Sequence, residues 1–150
     1  MNPRNSIRFL LCHLVGAAML FGSATFAADL TSQSSESAGV TIAVKPVDVS
    51  AKATTWSFQV TLSANSQDQS DDLVRTAYIV NRTGKKNEPP TRWEGDAPGG
   101  RLRKGVLRFK ALLPLPKAVE LRIQRVGERA PRVFRWDLDC PCTDATMHPS

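Results

Sequence analysis

Histidine and cysteine are scarce in this chain, at two and three of its 150 residues, and their positions exclude most catalytic chemistry. Cys12 and His13 fall in an apolar leader, which leaves His148, close to the terminus, as the remaining imidazole. No Ser/His or Cys/His pair can then sit on a rigid scaffold, so nucleophilic catalysis has nothing to start from. A phosphate loop is missing as well: Gly95, Gly99, Gly100 and Gly105 do not form G-x-x-x-x-G-K-[ST], and no helical pattern follows them. Asp68, Asp71 and Asp72 lack the D-x-D-x-D-G spacing and closing Glu of a calcium loop. They are expected to keep a polar loop soluble, with Asp71 or Asp72 pairing a neighbouring arginine.

Long apolar runs are confined to the start. Arg4 and Arg8 precede the run Phe9 to Gly22, and Thr25-Phe26-Ala27 offers small residues for cleavage, which predicts a signal peptide over 1–27. Cys12 follows bulky Leu11, so it is no lipoprotein cysteine and leaves with the signal. The expected chain is periplasmic or secreted, with no membrane span after signal removal.

The formal charge of +6 is unevenly placed. From Ala28 to Val74 two lysines face six acids, whereas Arg75 to Asp139 carries sixteen basic and seven acidic side chains. The second half could attract an anionic partner through its field, or be only the solvated surface of a basic protein. Nucleic acid is not expected, because export and the lack of aromatics interleaved with the basic residues both argue against it.

Residues 28–38, L-T-S-Q-S-S-E-S in their core, carry too little apolar surface to order themselves and are predicted to be a flexible leader. From Val40 the period is two. Val40, Ile42 and Val44 form one face of a strand that Pro46 ends, and Trp56, Phe58, Val60 and Leu62 form the widest apolar face in the chain. Leu73 to Asn81 is predicted to be a central strand, with a turn at Gly84. Further strands are expected at Leu107, Phe109 and Ala111, at Val119, Leu121 and Ile123, and at Phe134, Trp136 and Leu138, with Pro114, Pro116 and Gly127 breaking the chain between them. The expectation is an all-β fold: a single antiparallel immunoglobulin-like β-sandwich of six to seven strands over 39–139, followed by a cysteine-containing tail, 140–150. Without an inter-sheet disulfide, Trp56, Phe58, Phe109, Phe134 and Trp136 must hold its core.

The stretch Arg92 to Gly105, R-W-E-G-D-A-P-G-G-R-L-R-K-G, holds four of the nine glycines and reads as a long structured loop over a sheet end, with Trp93 tucked beneath it. Its Trp93-Glu94-Gly95-Asp96, Pro98-Gly99-Gly100, Gly105-Val106-Leu107 and Phe109 are similar to a family of small uncharacterised secreted or periplasmic domains. Thr55-Trp56-Ser57-Phe58, Asp72-Leu73, Pro114, Pro116, Lys117 and Arg132 to Leu138 extend the resemblance. It implies no established activity. Where the family carries a His-His pair after Gly-Gly and a His-Ser pair after the second strand, this chain has Arg101-Leu102 and Asn65-Ser66, so no metal role transfers through those histidines.

Two candidate sites remain. Glu94 and Asp96 are expected to accept backbone N–H groups or to pair with Arg92 or Arg101, rather than to act as acid and base across a sugar-sized cleft. Trp93, Glu94, Asp96, Arg101, Arg103 and Lys104 would then be a surface offered to an exported protein or anionic partner. The other site is the tail. Cys140, Cys142, Met147 and His148 supply soft ligands suited to Cu(I) or Zn, though the cysteines could equally close a strained disulfide, react singly, or be a plain unordered tail. The functional expectation is a non-enzymatic exported binding or assembly module without a cofactor, with metal handling as the alternative.

Overall fold

The computed structural model describes residues 30–66, 69–82 and 86–138. The expected signal, Asp68, the Gly84 turn and the tail set Cys140, Cys142, Met147 and His148 lie outside the described residues. Eight strands are present: β1 Gln33–Ser37, β2 Val40–Asp48, β3 Thr55–Ala64, β4 Ala77–Ile79, β5 Pro90–Gly95, β6 Leu102–Lys110, β7 Ala118–Ile123 and β8 Arg132–Asp137, with one helical turn, α1 Leu73–Thr76. They form two antiparallel sheets, ordered β1-β2-β3-β6-β5 and β4-β7-β8.

Period-two patterning decides which faces meet. Trp56, Phe58, Val60 and Leu62 of β3 are fully buried and lie beside Leu107 and Phe109 of β6 and Val40, Ile42 and Val44 of β2. The small sheet answers with Ile79, Val119, Leu121, Ile123, Phe134 and Trp136. Phe58 joins the layers: its ring meets Phe109 edge-on at 5.6 Å and Trp136 at 5.8 Å. Each such ring removes enough apolar surface from water to contribute about 1.5–3 kcal/mol. The five expected core aromatics are all buried.

Four local expectations are corrected. The serine-rich stretch expected as a flexible leader forms β1, because an edge strand needs only ladder partners and β2 supplies five residue pairs. Ala38 and Gly39 make the turn, both at positive φ, the hairpin geometry that matches strand twist. Strand β2 runs through Pro46 to Asp48 with a register shift, since β1 reaches only Val44 and, among the described residues, no strand lies beyond to require the missing N–H. Leu73 to Asn81 is a helical turn and a three-residue edge strand, not a central strand: Asp72 caps α1 by accepting from Val74 N, at 3.1 Å. Finally, Arg92 to Gly105 is not one long loop. Most of it belongs to the paired strands β5 and β6, with a turn over residues 96–101.

Candidate functional site

This topology gives the sandwich two unlike ends. One gathers the β1–β2 turn, residues 65–66 and 69–72, the β5–β6 turn and the β7–β8 turn. The other gathers residues 49–54, 80–82, 86–89 and 111–117 and the close of β8.

At the first end three arginines are buried. Arg103 faces inward opposite Leu62, is 2 % exposed, and donates to Asp96 O at 3.2 Å, Asp71 O at 2.6 Å and Gln69 O at 3.4 Å. Its guanidinium lies 5.0 Å from the centre of the Trp93 ring. The Trp93 indole N–H donates to Asp96 O at 2.8 Å, and its six-membered ring crosses Gly105 so closely that a Cβ there would come 2.4 Å from Cζ2. Gln69 and the turn exchange two backbone bonds, Gly99 N to Gln69 O and Gln69 N to Gly100 O. Burial lowers the Arg103 pKa from its ordinary value, and nearby Asp71, Asp72 and Asp96 partly offset that.

Asp71 links this knot to the small sheet. Its carboxylate accepts from Arg125 Nε at 2.7 Å and from Val126 N at 3.3 Å, so the expected aspartate–arginine pair is present. Arg132, also buried, donates to Ser35 O and Val40 O at 2.8 Å and to Ser37 O at 3.0 Å, while Glu128 takes the rest of its fork. Along the same seam the Gln33 carboxamide accepts from Arg135 N and donates to Arg135 O, and the Trp136 indole donates to Thr31 O. Side chains thereby hold β1 against the edge of β8.

The predicted loop residues therefore separate. Trp93 and Arg103 are used inside the knot. Asp96 accepts from Lys104 N at 2.8 Å, and Glu94 pairs with Arg92 at 2.6 Å and Arg108 at 3.0 Å on the outer sheet face. Arg101 and the Lys104 side chain remain exposed. Each carboxylate accepts a partner of the expected kind, a backbone N–H or an arginine. Arg103, placed by the sequence reading on a surface, is buried because the strand period turns it inward.

The other end carries exposed apolar side chains. Leu113 is 78 % exposed, Leu115 41 % and Val47 62 %. Two cavities lie at this end. One of about 280 Å³ is lined by Leu115, Pro116, Lys117 and Leu138. The other, about 200 Å³, has Val80, Leu112, Pro116 and Ala118 as apolar walls and Arg82, Lys117 and Arg135 as cations. Arg82 reaches Glu120 at 2.9 Å and Arg135 approaches Asp137 at only 3.8 Å; Lys117 has no acidic partner among the described residues. Burial pushes the Glu120 pKa up, but hydrogen bonds from Arg82 and Arg122 outweigh it and hold this carboxyl below its ordinary value. A signal existed in L-L-P-L-P-K. Two prolines at alternate positions prevent the leucines from sharing a strand face, so the core cannot take them all.

Among the described residues there is no group of three or more metal-ligating side chains, and no helix is long and apolar enough to cross a membrane. No family model, curated protein or solved structure matches this chain.

Proposed function

We propose that the chain is an exported, non-enzymatic binding module of immunoglobulin-like type, and that it engages its partner through the leucine end rather than through the β5–β6 turn. Two antiparallel sheets around one core support the immunoglobulin-like part of that reading. One observation carries the choice of end: Leu113 and Leu115 are exposed, with Leu115 beside Lys117, while Trp93 of β5 and Arg103 of β6, which flank the turn, are already engaged within the fold. Exposed apolar groups rimmed by polar ones mark interaction sites.

The test is photo-crosslinking in cells with benzoylphenylalanine in place of Leu115 or, separately, of Lys104. Adducts from position 115 alone are expected. Adducts from position 104 alone, or from neither, would overturn the assignment.

A further inference from the structure

Resting on that reading of the leucine end, we infer that its partner is an anionic lipid surface, with Leu113 and Leu115 entering the apolar layer and Arg82, Lys117 and Arg135 meeting the phosphates. The argument starts from shape. Leu113 projects from a loop rather than lining a groove, and a projecting apolar side chain suits a phase that deforms around it. Pro114 and Pro116 flank Leu115 and limit the backbone φ of the loop, so little conformational freedom is lost when it inserts.

Charge supports the same orientation. Pro116 and Lys117, next to Leu115, also line the cavity of about 200 Å³, which brings apolar Val80, Leu112 and Ala118 together with Arg82 and Arg135, the mixture of apolar and cationic groups that acyl chain and headgroup call for. Exposed Lys110, at the close of β6, adds a fourth cation at this end. Acids answer part of this charge: Glu120 is shared by Arg82 and Arg122, and Asp137 stands 3.8 Å from Arg135, which leaves Lys117 and Lys110 without a salt-bridge partner among the described residues. A peptide partner would be better served by a groove or an open strand edge, and on the nearest edge, β8, the backbone N–H and C=O of Arg135 are taken by Gln33.

Co-sedimentation of residues 28–150, which include all eight strands, with phosphatidylcholine vesicles with and without phosphatidylglycerol tests this. Binding is expected only with phosphatidylglycerol, weakening as salt rises. Leu113→Asp with Leu115→Asp, and separately Lys117→Glu with Arg135→Glu, should each lower partitioning by on the order of tenfold. Lys104→Glu at the opposite end should leave it unchanged. An unchanged urea midpoint shows that the variants are folded, and their altered positions are exposed.

Equal binding to both vesicle types, or indifference to the leucine substitutions, would overturn the inference. So would glycerol phosphate binding with full strength to the leucine variant, which would identify a free-phosphate site. A protein adduct at position 115 with no vesicle binding would also overturn it, while leaving the leucine end as the binding face.

Discussion

At one end of the sandwich Arg103, Arg125 and Arg132 are buried against carbonyls and carboxylates from four chain segments. At the other, Arg82, Lys117 and Arg135 are exposed and line one cavity, at the same end of the sandwich as the exposed Leu113 and Leu115. The same residue chemistry does two jobs because hydration differs. A guanidinium taken out of water must recover its lost hydrogen bonds from fixed partners, so a buried one ties its partners together. A solvated cation demands less of the fold: Arg82 and Arg135 each meet one carboxylate, and Lys117 has no acidic partner among the described residues. The contrast teaches that this protein's basic character does not map simply onto its surface: much of the charge at the arginine end is consumed by architecture.

The strongest way to break the comparison is Arg132→Met. It strands the carbonyls of Ser35, Ser37 and Val40 and leaves Glu128 without its partner, so a loss of about 3–5 kcal/mol is expected in urea unfolding. A loss below about 1 kcal/mol would mean that the seam is held by something else. Gly105→Ala comes next. Its Cβ would meet the Trp93 ring at 2.4 Å and Glu94 O at 2.7 Å, and overpacking of this kind costs about 1–3 kcal/mol. Adding Trp93→Leu should recover only part of that, since the backbone oxygen stays in place.

Ala38→Asn sharpens the picture in the stabilising direction. Ala38 sits at φ +50° in the β1–β2 turn, where Asn is better tolerated, and a gain of about 0.5–1 kcal/mol is expected in thermal unfolding. Glu120 gives a smaller, pH-dependent effect. Its folded pKa is depressed, so its contribution is present above the ordinary carboxylate range and is lost as pH falls through the lowered value. Glu120→Gln should therefore cost stability near neutrality, and the gap from the parent should close on acidification. The smallest expected change is for Leu113→Asp, within about 0.5 kcal/mol of the parent in urea, because an exposed leucine contributes little to folding.

The strands with clear alternation, β2, β3, β6, β7 and β8, could be read from the chain, as could the aromatics that fill the core. Each depends only on a side chain's own polarity and its neighbour's. Strand β1 could not, because Gln33 and the three serines gain their order from β2 and from Arg132 and Arg135, about a hundred residues away in sequence. Strand β4 was misread for a related reason: Asp72 opens a helical turn that the apolar run from Leu73 conceals. The carboxylates of the Trp93 segment were assigned to the right kind of partner from local sequence. The depth of Arg103 was not, since inward and outward differ by a single step of register.

Composition and alternation alone were enough to specify an all-β chain with an aromatic core, because apolar spacing reports which faces must leave water. Which arginines became struts and which leucines stayed outside was settled only by three-dimensional packing. Burying a cation depends on carbonyls brought from distant segments, and excluding a leucine depends on the core having already been filled.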